Sequence, residues 1–345
     1  MRLNKNSYLI MGIETSCDET SVAIVKNGRE ILANIIASQI DLHKKFGGVV
    51  PEEASRKHVE LINPVIQEAL TSAGVSFDDL DGIGVSYGPG LVGALLVGVM
   101  TAKSLAYAKG IKLVGVNHVE AHMYANFLEY PWLEFPLICL VVSGGHSQIV
   151  YLAGHGEYEL IGTTRDDAAG EAFDKVARVL NLGYPGGPAI DKLAREGNPK
   201  AIELPRARLK NDPYGFSFSG LKTAVLNYVN RCEQKGEKVH LPDLAASFQQ
   251  AVIDVLVNNT VLAAKNYNVK TILLAGGVAV NSQLRSEMKE KAQAEGIGVL
   301  YPSPILCTDN AAMVACLAYY KMRQGKFAPW SLNATARLPL GKDLY

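Results

Sequence analysis

Ile13-Glu14-Thr15-Ser16-Cys17-Asp18-Glu19-Thr20-Ser21 joins two apolar runs, Tyr8–Glu14 and Ser21–Lys26, and reads as a polar bend inside a strand hairpin. Val142-Ser143-Gly144-Gly145-His146-Ser147-Gln148 does the same between Leu137–Val142 and Ser147–Leu152. Small hydroxyl and glycine residues suit such bends, because they tolerate tight turning and bond to nearby backbone. A repeated strand–bend–strand opening is what a two-lobed phosphate clamp needs, each bend donating backbone N–H groups. Two unrelated hairpins satisfy the same local pattern, so the bends alone leave both readings open.

Outward from the first bend, the spacing predicts a helix over Val59–Ser72, a short buried strand over Gly82–Ser86 and a helix over Leu91–Lys109. A strand follows at Lys112–Val116, then a helix near His118–Leu128. After the second bend come helices near Gly170–Leu180, Pro188–Glu196 and Leu241–Lys265, a strand at Thr271–Ala275, and helices at Asn281–Glu295 and Asn310–Gln324. This alternation predicts an α/β fold with layered sheets. The 345 residues exceed a usual single core, so two lobes are expected, over 8–133 and 134–330, with a tail over 331–345.

Hydrophobic residues make up 48% and charged residues 20%, the balance of a soluble globular protein. Lys+Arg and Asp+Glu both number 34, which argues against a broad electrostatic grip on nucleic acid. An RNA substrate would need a local basic patch or a helper protein. Cys17, Cys139, Cys232, Cys307 and Cys316 form no CxxC pair, so free thiols and a cytoplasmic location are expected. The N-terminus shows no signal-peptide pattern, and Leu91–Met100, followed by Lys103, is too short to span a bilayer; no membrane association is expected.

Asn117-His118-Val119-Glu120-Ala121-His122 is the sharpest local signal. On a helix His118 and His122 share a face, and two imidazoles at that spacing reach one ion. Zinc peptidases place a glutamate directly after the first histidine, where this chain has Val119. Glu120 lies one position further round the helix, which disfavours a metallopeptidase. Asp309, in Cys307-Thr308-Asp309-Asn310, is either the N-cap of the helix that follows or a third ligand. Two histidines and a carboxylate suit Fe(II) or Zn(II) and leave positions open to substrate.

Gly88-Pro89-Gly90-Leu91-Val92-Gly93 fits a dinucleotide loop poorly, since no acid closes the next strand, Leu113–Val116. A dehydrogenase is therefore disfavoured, and tight turning accounts for these glycines. Gly276-Gly277 lets a flat ligand approach the backbone, with Asn281 either beside it or capping the next helix. Tyr184-Pro185-Gly186-Gly187-Pro188 leads to Asp191, which is either a carboxylate placed for sugar hydroxyls or merely an exposed acid after a turn.

Together these segments resemble the TsaD family, the tRNA adenosine threonylcarbamoyltransferases. The resemblance runs through Gly12–Thr20, Phe46–Glu52, Gly88–Gly93, Val142–His146, Gly170–Lys175, Tyr184–Pro188, Phe216–Lys222 and Asp309-Asn310, in order over nearly the whole chain. It implies an α/β, two-lobed actin-like or sugar-kinase-like (ASKHA) fold with duplicated sheets. It implies one Fe(II), or Zn(II), on His118, His122 and Asp309. It further implies an adenylate, threonylcarbamoyl-AMP, bound by Val141, Val142, Ser143, Gly144, Gly145, Asp174, Gly187, Asp191 and Asn281. The implied acceptor is N6 of adenosine 37 in tRNAs reading ANN codons, and the implied partners are a TsaB paralogue and the TsaE ATPase. Ser16, Cys17 and Asp18 are a candidate phosphate turn, His146 a candidate proton relay, and Lys222 a candidate tRNA contact, as are the basic residues of the Arg195–Lys210 stretch. Two positions depart from the family pattern: Ala121 replaces a glycine and Glu53 an apolar residue. The rival reading is an actin-like ATPase switch, which needs the phosphate turns but no pair of metal histidines.

Overall fold

The computed structural model of the protein describes residues 7–344 and divides them into two compact units. Unit 1 holds the described residues through Glu134, Gly154–Glu157, and those from Pro302 onward; unit 2 holds Phe135–Ala153 and Tyr158–Tyr301.

In unit 1, β1 (Leu9–Glu14), β2 (Glu19–Lys26), β3 (Glu30–Ser38), β4 (Gly82–Gly88) and β5 (Lys112–Asn117) form one sheet in the order β3-β2-β1-β4-β5. β1 runs antiparallel to β2 and parallel to β4, and β4 is parallel to β5. β4 is buried throughout and β1 at all but its first residue, as expected of strands covered on both faces. The helices are α1 (Ile40–Lys44), α2 (Pro51–Ala73), α3 (Val92–Lys109) and α4 (His118–Glu129). Pro51 opens α2 where its missing N–H costs nothing, and Gly74 ends it at φ 65°, a left-handed stop that favours glycine. α2 starts eight residues before the apolar spacing suggests, because its first two turns carry mostly polar side chains. α3 is long and apolar enough to cross a membrane by length and composition, but it packs against β4 and α2, and its Lys103 Nζ donates to the Leu332 carbonyl at 3.0 Å.

In unit 2, β6 (Leu137–Val142), β7 (Ser147–Gly154), β8 (Glu157–Thr163), β9 (Thr271–Ala275) and β10 (Gly298–Leu300) pair in the order β8-β7-β6-β9-β10. β6 is antiparallel to β7 and parallel to β9, and β9 is parallel to β10. The two sheets therefore share one topology, and each polar bend joins the same pair of strands. The duplicated reading of the bends holds. The helices are α5 (Ala169–Val179), α6 (Gly186–Ala194), α7 (Ser219–Lys235), α8 (Leu241–Asn266) and α9 (Ser282–Ala294), with α6 and α9 packed on α8.

The expected lobe over 134–330 does not coincide with unit 2. At Pro302 the chain returns to unit 1, where α10 (Pro304–Cys307) and α11 (Ala311–Arg323) lie. α11 packs on β1, β2, β4 and α4. Met11 and Ile13 of β1 face the core built with α2 and α3, and Gly12, pointing the other way, faces α11. A Cβ on Gly12 would stand 2.1 Å from the Ala311 carbonyl oxygen, so glycine is what permits this approach. The described residues of the expected tail over 331–345 are likewise part of unit 1: Leu332 and Leu338 are buried in its core, and Thr335 N–H donates to the Tyr87 carbonyl at 2.8 Å.

Candidate functional site

Asn117 caps α4, its side chain accepting from the N–H groups of Val119 (2.9 Å) and Glu120 (3.3 Å). The cap sets His118 in the first turn and His122 one turn later, 6% and 1% exposed, with ring centroids 4.7 Å apart. Asp309 precedes α11, whose cap is Asn310, accepting from Met313 N–H. The capping reading of Asp309 thus fails by one residue. Its Oδ1 lies 3.1 Å from His122 Nε2 and 3.6 Å from His118 Nε2. The three residues offer ligand atoms all within 4.8 Å of one another.

A cation fits this donor set. Both ring nitrogens of His122 are buried without a hydrogen-bond partner, since the approach to Asp309 lacks hydrogen-bond geometry. Unpaired buried nitrogens are costly, and a shared ion removes that cost for Nε2. The surroundings are strongly acidic. Burial, then Asp309 and Asp18, push the Glu19 carboxyl up to about 10. Burial opposes charge on His118, but Glu14 and Asp309 outweigh it and raise its pKa to about 9. Burial would also raise Glu14, yet the His118 charge and hydrogen bond hold it below its ordinary value. A cluster of carboxylates around two imidazoles calls for positive charge, carried by protons or by a metal.

Glu120 is not available as a hydrolytic base. It is buried and its Oε1 accepts from the Gly341 N–H at 2.7 Å. Ala121 is fully buried within α4, and Glu53 lies half-buried in the first turn of α2.

Of the candidate phosphate turn, Ser16 and Asp18 are buried, and Ser16 N–H is already bound by Glu14 Oε1 at 2.6 Å. The Cys17 carbonyl takes a hydrogen bond at 2.9 Å from His58 Nε2.

The expected adenylate residues all lie in unit 2. Val141 and Val142 end β6, fully buried. Ser143 N–H donates to the His146 carbonyl at 2.8 Å and Ser143 Oγ accepts from His146 N–H at 3.2 Å, so His146 closes the bend. Added Cβ atoms on Gly144, Gly145 or Gly187 would meet nothing within 4 Å, which leaves room over these loops for a ligand. Gly276, at φ 89°, sits where a Cβ would be 2.3 Å from the Val142 carbonyl oxygen, bringing the β9 turn against the β6 bend. Asp174 accepts from Gly186 N–H at 2.7 Å and so fixes the loop that carries Gly187. Asp191 accepts from Ser282 Oγ at 3.2 Å and pairs with Arg195 at 2.8 Å. Asn281 caps α9 and also donates to Gln249 Oε1 at 2.7 Å.

Lys222 lies half-buried on α7. In the basic stretch before it, Arg195 and Arg206 are already paired, with Asp191 and Asp254. Arg206 and Arg208 line a cavity of about 730 Å³ that Asp212 and Asp254 also line, a mixed surface rather than a polyanion track.

Two residues of the site escape the sequence reading. Glu14 and Ser86 are fully buried, and Ser86 Oγ donates to Glu14 Oε2 at 2.5 Å. The available signal is a carboxylate closing an otherwise apolar strand.

A profile of the family described as "TsaD: tRNA N6-adenosine threonylcarbamoyltransferase" matches residues 30–316. The chain belongs to the TsaD family. A tRNA N6-adenosine threonylcarbamoyltransferase of Clostridium botulinum (strain Kyoto / Type A2) is 59% identical over 338 residues, 98% of this chain and 99% of that one. Its counterpart in Clostridium perfringens (strain SM101 / Type A) is 57% identical over 337 residues, 98% and 99% of the two chains. These matches bear out the TsaD resemblance. Among solved structures, full-length HypF in its phosphate- and nucleotide-bound form aligns with a TM-score of 0.63 at 16% identity. That alignment covers 94% of this chain but 47% of HypF, so it speaks for the fold alone, an α/β fold with duplicated sheets.

Proposed function

We propose that this TsaD-family chain transfers the threonylcarbamoyl group of threonylcarbamoyl-AMP to N6 of adenosine 37 in tRNAs reading ANN codons. One observation carries the reading: 59% identity, over 98% of the chain, to a protein named for this transfer. The cluster of buried His118 and His122 with half-buried Asp309 supports it, since an ATPase switch needs no such donor set.

The reaction is an acyl transfer. The N6 amine attacks the carbamoyl carbon, the bond to the phosphate oxygen breaks, and AMP leaves. AMP is a good leaving group, so alignment and charge stabilisation are the main demands. Backbone N–H groups of Gly144 and Gly145 hold the phosphate in this reading, since the Ser143 N–H is taken by the His146 carbonyl. Asp191 receives ribose hydroxyls, Asn281 serves the base, and Asp174 keeps the Gly187 loop in place. The backbone of His146 closes the bend with Ser143, and its imidazole is assigned as the proton relay. His118, His122 and Asp309 would hold one ion, Fe(II) or alternatively Zn(II), which would supply Lewis-acid chemistry. The proposed partners are a TsaB paralogue and the TsaE ATPase, and the proposed location is the cytoplasm. Lys222 is assigned to a tRNA phosphate; its replacement by alanine should lower the salt slope of tRNA binding, and an unchanged slope removes the assignment.

The test combines the purified chain, both partners, threonylcarbamoyl-AMP and unmodified tRNA, with mass spectrometry of the digested nucleosides. The expected product is threonylcarbamoyl-adenosine. His118→Ala should lose bound metal and product together. No product from the wild type rejects the transferase reading, and full activity in a metal-free variant rejects the role of the ion.

A further inference from the structure

We propose that Glu14 is a positioning residue for the metal site, fixing His118 in the tautomer that offers Nε2 to the ion. The inference rests on the metal reading above and adds to it a residue outside the ligand set.

Glu14 is 0% exposed at the end of β1, and its two oxygens meet donors from three elements. Oε1 accepts from Ser16 N–H in the bend at 2.6 Å. Oε2 accepts from Ser86 Oγ on β4 at 2.5 Å and lies 2.9 Å from His118 Nδ1 on α4. A carboxylate accepts and does not donate. A bare Nδ1 would set lone pair against lone pair at 2.9 Å, so Nδ1 carries the hydrogen. In the neutral ring the lone pair then lies on Nε2, the nitrogen that faces Asp309 at 3.6 Å. Ser16 Oγ, 3.1 Å from the same Nδ1, flanks this bond. His122 has no comparable hold, since neither of its nitrogens has a hydrogen-bond partner. The site thus pairs one imidazole fixed in tautomer and orientation with one that an incoming ion must orient. Carboxylates behind ligating histidines raise ligand basicity and set ring orientation in this way.

The competing account is that Glu14 only ties β1, β4 and α4 together. Glu14→Gln separates the two. An amide whose oxygen stays on Ser16 N–H turns its NH2 toward Nδ1, which favours the other tautomer and protonates the nitrogen the ion needs. Ser86→Ala removes a buried hydrogen bond from the same carboxylate but leaves the His118 contact intact. The experiment measures Zn(II) affinity of the full chain by chelator competition, for the wild type, Glu14→Gln, Ser86→Ala and His122→Ala. Nitrogen-15 NMR of the histidine rings in the zinc-loaded wild type accompanies it. Glu14→Gln should bind about 10- to 100-fold more weakly. Ser86→Ala should stay close to wild type even where it lowers thermal stability. The spectra should show His118 protonated at Nδ1 and metallated at Nε2. Equal affinity in Glu14→Gln, an equal loss in Ser86→Ala, or zinc on His118 Nδ1 overturns the proposal. If His122→Ala binds zinc as well as the wild type does, the metal reading itself falls and takes this inference with it. If Glu14→Gln does not fold, the wild-type spectra decide.

Discussion

At the scale of single residues, the site depends on a missing side chain as much as on those present. Gly12 lets the start of α11 lie against β1, and Asp309 stands just ahead of that helix. In Gly12→Ala the new methyl meets backbone atoms at 2.1 and 2.8 Å, so α11 must shift. We expect a loss of about 3 kcal/mol in urea unfolding and a weaker zinc affinity from the same displacement; unchanged values in both would show that α11 does not depend on this contact. The histidine pair was legible at this scale because its spacing is written in the sequence, whereas Asp309 was readable only as either a helix cap or a third ligand. Glu14 was not, since a lone carboxylate at a strand end carries no partner information until the fold brings His118 to it.

At the scale of elements, Asn310 holds the segment that carries Asp309. It is fully buried, accepts from Met313 N–H at 3.1 Å, and donates through Nδ2 to the carbonyls of Leu306 (3.2 Å) and Thr308 (2.8 Å). Asn310→Ala removes a cap and two buried bonds, for an expected cost of about 2–3 kcal/mol. Zinc affinity should fall with it, while Asn281→Ala, the cap of α9 in unit 2, should leave zinc binding unchanged. Equal zinc affinity in Asn310→Ala would show that Asp309 is positioned independently of the cap. The sequence showed most central elements, because continuous apolar runs mark β1, β4, β6 and β9. It did not show β3, β8 and β10, where side chains are only partly buried and the apolar pattern is correspondingly weak. α7 was also missed; among its residues only Leu221, Val225 and Cys232 are buried, too sparse a stripe to read.

At the scale of the molecule, the repeated bends left duplicated sheets as one of two readings, and gave no sign of the return of the chain to unit 1 at Pro302. That return depends on tertiary contacts of α11 and of the segment after it, which no local period encodes. Unit 1 also includes the turn at Gly154–Glu157, where His155 stacks on Tyr320 with centroids 3.9 Å apart and shares a hydrogen bond of 3.0 Å between its Nδ1 and Tyr124 OH. Burial first, and Arg29 second, lower the His155 pKa from 6.5 to about 4. A folded-state pKa below the unfolded one means that the unfolded chain takes up the proton first as pH falls. Stability should therefore decline between about pH 6.5 and pH 4 and level off below. The ring is partly exposed, so the contribution is about 1–2 kcal/mol. His155→Phe should flatten this part of the stability–pH curve relative to wild type, and an identical curve would remove His155 as its source.

The proposed ion would be held by residues almost two hundred positions apart in sequence. Anomalous diffraction at the zinc or iron edge, from crystals of the metal-loaded protein, tests it most directly. A single strong peak bonded to His118 Nε2, His122 Nε2 and the Asp309 carboxylate is the predicted result. A metal-loaded crystal whose anomalous density leaves that trio bare would contradict it.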